Sequence, residues 1–174
     1  MKKTTIAVLL VLLLASTSIF AVSDNFTVTT TIDEIGLMKI TTAALSTHTV
    51  AAYNALTDFE ELPISTSGDQ TFAAYLTTLS NKRTGYTVTM GASAMKSTVS
   101  SVDSYIDYTV GVNSVDLTTG GATDPTAVTV LTVASLGTLQ AQSHAISLSV
   151  DATTFDSAVS GSYSGTVTFT FTAT

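Results

Sequence analysis

The chain has 174 residues, with 6 Lys and Arg against 13 Asp and Glu, 45% apolar residues, no Trp and no Cys. Without cysteine there is no disulfide framework, thiolate metal site or thiol chemistry, so stability must come from packing and backbone hydrogen bonds. The few cations are scattered, which speaks against nucleic acid as a partner, because counterion release needs clustered Lys and Arg.

Met1-Lys2-Lys3 forms a positive start, residues 6–15 an uncharged apolar run, and residues 16–23 a small-residue stretch. That order reads as a bacterial-style export signal, with cleavage after Ala21 or after Ser23 fitting equally. The apolar run is shorter than the ~20 residues a spanning helix needs. Residues 1–21 are therefore expected to be a signal peptide, and residues 22–174 one soluble exported domain with a single core. Loss of Lys2 and Lys3 leaves Lys39, Lys82, Arg83 and Lys96 as the cationic side chains of that domain.

Threonine is the dominant signal. The chain holds 35 of them, alternating with apolar residues. Thr is β-branched and suits the wet face of a pleated strand, so Thr/Val and Thr/Phe alternation predicts antiparallel β structure. In chain order, residues 25–33 alternate with Phe26, Val28 and Ile32 on one face, and residues 36–41 form a second short strand. Residues 42–62 lack a clean period, and Asp58 to Pro63 reads as a helical turn or loop ended by proline.

Residues 70–79 and 86–90 read as two strands around the polar turn 80–85, a hairpin. Residues 91–103 are small and polar. Residues 105–112 alternate, with Ile106, Tyr108, Val110 and Val112 on one face. A loop over 117–125 follows, then strands over 127–133 and 145–150, the latter with Ile146, Leu148 and Val150 inward. After a turn over 156–165, residues 166–172 close the chain with period two. Seven or eight short strands without helical crossovers predict a single antiparallel β-sandwich. A transmembrane barrel would want ~10-residue segments and aromatic girdles, and the aromatic residues are too sparse for that.

No catalytic pattern emerges. His48 and His144 are the candidate bases, neither beside a nucleophile elbow, and Gly161-Ser162-Tyr163-Ser164-Gly165 carries tyrosine where the elbow needs serine. Asp58, Glu60, Glu61 and Asp69 form the densest acidic cluster and read as a solvated loop. Neither that cluster nor the loop between Asp116 and Asp124 has the ligand spacing of a calcium loop. Phosphate loops, zinc patterns and dinucleotide fingerprints are missing. The expectation is a non-enzymatic protein without cofactor, metal or catalytic residues.

Three segments in order resemble the major subunits of CS1/CFA-I-type fimbriae, the alpha class of chaperone–usher pili. They are Asn25-Phe26-Thr27-Val28-Thr29-Thr30-Thr31-Ile32-Asp33, the central hairpin over 71–90 with the following strand 105–112, and Gly161-Ser162-Tyr163-Ser164-Gly165-Thr166-Val167. Glu34 stands where that family usually has proline. The resemblance implies an immunoglobulin-like sandwich lacking one strand. A periplasmic chaperone first fills the groove, and the N-terminal strand of the next subunit then replaces it. It also implies identical or related pilin subunits as partners, with an outer-membrane usher, on the route from periplasm to cell surface. Residues 25–33 would be the donor strand, about 30 Å long, presenting Phe26, Val28, Thr30 and Ile32. Two alternatives stay open: residues 25–33 as the first strand of a self-contained sandwich, and a monomeric exported adhesion or binding module.

Overall fold

Alternation of Thr with Val and Phe produces the expected outcome: the computed structural model is mostly antiparallel β-sheet, 46% strand against 7% helix. It describes residues 26–174, so the export-signal reading of residues 1–21, both cleavage positions and Asn25 lie outside the described residues. The chain divides into two units, residues 1–32 and residues 33–174. The second, the body, contains every strand and helix described.

The body runs β1 (Gly36–Thr41), α1 (Val50–Ala55), β2 (Gly68–Asp69), β3 (Tyr75–Ser80), β4 (Tyr86–Ala92), β5 (Met95–Val99), β6 (Val102–Ile106), β7 (Tyr108–Val112), β8 (Val115–Thr118), β9 (Val128–Val133), β10 (Gln140–Val150), α2 (Ala152–Asp156) and β11 (Val167–Ala173). Six strands make one sheet in the order β1-β3-β10-β7-β8, with β2 also on β10. Three make a second sheet, β11-β4-β9, and β5 pairs with β6 in a separate hairpin. The long β10 joins two ladders: residues 140–145 pair with β3, and residues 146–150 with β7.

One apolar core takes side chains from both larger sheets, consistent with a sandwich. Leu76, Val88, Met90 and Val110 are completely buried in it, together with Tyr86 and Val112. Tyr86 stacks on Phe171 at 4.7 Å between ring centres, and its hydroxyl lies 2.9 Å from that of Thr78, so its polar end is satisfied inside the core. Across β1, β3 and β10 a chain of hydroxyls links Thr41, Thr77 and Ser143, with Oγ separations of 2.8 and 3.0 Å. Thr41 and Thr77 are fully buried although polar, and half-buried Ser143 also accepts from Leu45 N–H at 3.0 Å, which ties the segment after β1 to β10.

Several expectations are revised. Eleven strands occur among the described residues, against seven or eight expected. Part of the surplus is the β5–β6 hairpin, which occupies residues taken for a polar loop, and part is β8, which enters the loop expected over 117–125. Both hairpins turn on two residues with positive φ, Ser100-Ser101 and Asn113-Ser114, the backbone that matches strand twist in two-residue loops. The predicted strand over 105–112 is broken at Asp107, although Ile106, Tyr108, Val110 and Val112 do share the buried face. A short helix over 50–55, capped by the Thr49 hydroxyl accepting from Ala52 N–H at 3.2 Å, lies in the stretch that lacked a clean period, while Asp58 to Pro63 takes the loop alternative of its reading. Residues 26–32, expected as a strand, belong to no ladder.

Gly85 closes the β3–β4 turn at φ 87°, and a Cβ there would lie 1.9 Å from the Val133 carbonyl oxygen. Gly68 has a similar φ of 83° with nothing within 4 Å. Gly68→Ala is therefore expected to cost only the backbone strain, about 1–2 kcal/mol. Gly85→Ala adds a clash against main chain and should cost at least ~3 kcal/mol. Urea unfolding of the two variants side by side checks this, and equal losses would contradict it.

Candidate functional site

The two larger sheets do not close on every side. β11 pairs with β4 alone, and β1 pairs with β3 on one edge while its other edge carries one isolated bridge, Thr41 to Asp58, among the described residues. At one end these strands come together, where the Gly36 backbone packs against the Phe171 ring; a Cβ on Gly36 would sit 3.1 Å from it. Beyond that contact lies an apolar cleft of about 680 Å³. Ile146 and Leu148 of β10, Tyr108 and Val110 of β7, Ile40 of β1, and Val167 and Phe169 of β11 line it. Ile40, Ile146, Leu148, Val167 and Phe169 are only partly buried, in contrast to the closed core.

Two segments shape the far end. Phe59 N–H donates to Ile40 C=O at 2.9 Å and the Phe59 ring packs on Phe72 at 5.8 Å, which brings residues 59–64 along the rim. Lys39 secures this segment: its ammonium donates to Leu56 C=O at 2.7 Å, pairs with Asp58 at 3.1 Å and lies 5.1 Å from the Tyr53 ring centre. Opposite, Ser164 and Lys96 exchange backbone hydrogen bonds, and the Tyr163 hydroxyl lies 2.9 Å from both Ser104 Oγ and Val159 C=O. The motif 161–165 is thus a hydrogen-bonded loop at the cleft. A Cβ on Gly165 would lie 2.8 Å from Ser93 C=O, so only glycine permits that approach.

Burial first, and then the Asp124 charge, push Tyr108 up to about 12, and its hydroxyl donates to Ser93 C=O at 2.8 Å. It is a neutral phenol at any ordinary pH and offers no base. Glu60 and Glu61 are exposed on the rim, Asp58 is paired with Lys39, and Asp69 is in β2, so the acidic cluster of the sequence is dispersed. Among the described residues no three His, Asp or Glu side chains gather as metal ligands.

Of the sequence-predicted residues, Phe26, Val28 and Ile32 are 87%, 81% and 78% exposed, and Thr30 is exposed with them. Among the described residues none of the four has a partner in a ladder. The cleft-lining residues Ile40, Phe59, Phe155 and Phe169 were not singled out from sequence. The period-two pattern of Val167, Phe169 and Phe171 was the available signal, and it gave facing without revealing that the face is open.

His144 lies on β10 with Nε2 3.1 Å from Gln142 Oε1, and burial lowers its pKa below the usual 6.5. The unfolded chain then binds the proton more readily. His144 costs no stability above pH 6.5, and stability falls as pH drops from 6.5 through the lowered folded value. Replacing it by Gln is expected to flatten the fall in thermal midpoint between pH 7.5 and pH 5.5; an unchanged slope would contradict this.

Compared with known protein families, with curated proteins and with solved structures, the chain has no match.

Proposed function

We propose that this protein is a structural subunit of a surface fimbria assembled by donor-strand complementation. Residues 25–33 of one copy fill the cleft of the next, and the body is an immunoglobulin-like sandwich short of one strand. The observation that carries the reading is the pairing of two features in one chain. One is an alternating apolar segment left exposed at Phe26, Val28 and Ile32. The other is an apolar cleft flanked by two strand edges, β1 and β11.

A strand meets both needs of such a cleft. Its backbone pairs with the edges, and alternate side chains enter the gap while the intervening threonines stay wet. Burial of Phe26, Val28 and Ile32 contributes about 1.5–3 kcal/mol each, with Thr30 as a smaller plug.

Geometry favours a filament over a closed pair. The arm joins the body at Asp33, beside Asn81 and the Gly36 end of β1. The rim residues Phe59 to Ile64 adjoin the opposite end of β1, as the Phe59–Ile40 bond and the Thr41–Asp58 bridge require. Donation at one end and acceptance at the other is a heterologous contact, which repeats without closing. Before assembly the same cleft would be covered by a periplasmic chaperone, with delivery through an outer-membrane usher. The export signal over residues 1–21 fits that route.

Phe26→Asp or Val28→Asp is expected to leave the subunit exported and folded but unpolymerised. Electron microscopy of cells and size-exclusion chromatography of the purified protein check this, and normal fibres from either variant would overturn the assignment. A peptide of residues 24–34 added to the Phe26→Asp/Val28→Asp chain should raise its thermal midpoint by roughly 5–10 °C at a hundredfold excess over Kd. No rise would mean that the cleft is not an acceptor for this segment.

A further inference from the structure

The residues that join arm to body are held with more bonds than any strand requires. Ile35 N–H donates to Asn81 Oδ1 at 2.6 Å, and Asn81 N–H donates back to Ile35 C=O at 3.2 Å. The Asn81 side-chain amide donates to Asp33 C=O at 2.9 Å, and Ser80 Oγ donates to Ile35 C=O at 3.0 Å. Lys82 Nζ donates to Glu34 Oε2 at 2.6 Å. The Gly36–Ser80 pair ends the β1–β3 ladder, so residues 33–35 prolong the line of β1 alongside residues 80–82, past the point where Gly36 meets Phe171. One short turn thus grips three successive residues through main chain and side chains.

We propose that Ser80, Asn81 and Lys82 form a collar that commits the arm to a second copy of the chain by excluding insertion into the cleft of its own body. This rests on the donor-strand reading above and names the partner it requires. The chain's own cleft lies back along β1, so self-insertion needs a reversal between the arm and β1. Residues 33–35 cannot supply it, because both main-chain groups of Ile35 and the Asp33 carbonyl are engaged. The turn must then fall in Thr29-Thr30-Thr31-Ile32, four β-branched residues with no Gly, Asn or Pro. Tight two-residue hairpin turns need positive φ, which β-branched side chains resist. A reversal there also withdraws Thr30 and Ile32, leaving Phe26 and Val28 to enter. A neighbouring cleft receives all four side chains from an arm that need not turn. Asn81 is in this sense a positioning residue, acting on the arm through the backbone it holds.

The test uses the full exported chain. Asn81→Ala frees the collar, and Asp33→Asn with Glu34→Gly places an Asn-Gly turn there while keeping Asn81. Both are expected to shift material from polymer to a capped monomer whose fraction is independent of protein concentration, as an intramolecular event is. That monomer should no longer respond to the 24–34 peptide, a readout that mere loosening of the body would not produce. If both variants polymerise as the parent does and yield no peptide-insensitive monomer, the collar proposal is overturned while the donor-strand reading stands. If the Phe26→Asp/Val28→Asp chain also ignores the peptide, the donor-strand reading fails and the collar proposal with it.

Discussion

The strand edge of β11 is the constraint on which the rest of this molecule turns. A sheet edge presents unpaired N–H and C=O groups, and soluble proteins blunt such edges with lysine, proline, bulges or a covering segment. The outer edge of β1 carries Lys39 and the bridge to Asp58, β8 carries Asp116, and the β4–β9 ladder is bulged between Val88 and Thr89. β11 has none of these devices. Val167-Thr168-Phe169-Thr170-Phe171-Thr172 contains no charge, proline or glycine, and its apolar side chains stand at a cleft. An edge so unprotected is an aggregation hazard unless a designated strand covers it, and the donor-strand proposal supplies that strand from the same sequence.

Around that edge, the irregular parts of the chain acquire a purpose. Residues 57–64 hold one lip through Phe59, Phe72 and the Lys39–Asp58 pair. Exposed ion pairs are individually weak, so the main-chain bond from Phe59 to Ile40 is the more important tie. The other lip is held by the Lys96–Ser164 bridge and by Tyr163, whose hydroxyl reaches the β6 side chain of Ser104. Lys96 in turn pairs with Asp103 at 2.8 Å across the β5–β6 hairpin, which raises the lysine pKa and lowers that of the carboxylate through their hydrogen bond. Neither lip is part of a large sheet among the described residues.

Much of the fold was legible because strand patterning is local. β1, β4, β9 and β11 lie within a residue or two of where alternation placed them, and the four inward residues of 105–112 face the core. What was not legible depended on partners distant in sequence. The β5–β6 hairpin turns on Ser100-Ser101, two serines at positive φ without the glycine or asparagine that signals such turns, so its segment read as a loop. Asp107 breaks a continuous alternating run because its N–H donates to Thr154 Oγ1 at 3.0 Å and its C=O accepts from Asp151 N–H at 2.9 Å, while β6 pairs with β5 and β7 with β10 and β8. The cleft was invisible for a deeper reason. Alternation tells which way a side chain points, and whether anything waits there is decided by strands that the sequence does not bring adjacent.

The junction at residues 33–35 is held by hydrogen bonds from the β3–β4 turn. In the fimbrial family that the segment resembles, proline usually follows the aspartate. A proline at position 34 would fix its own φ near −65° and push Asp33 toward extended backbone. Glu34 imposes neither restriction. Here the extension is enforced from outside, by Asn81 on the main chain of residues 33 and 35 and by Lys82 on the Glu34 carboxylate. A ring constraint acts on the unfolded chain as well and needs no partner, whereas hydrogen bonds act only once the β3–β4 turn has formed. On the collar proposal, the arm is therefore directed only after the β3–β4 turn of its own body has formed.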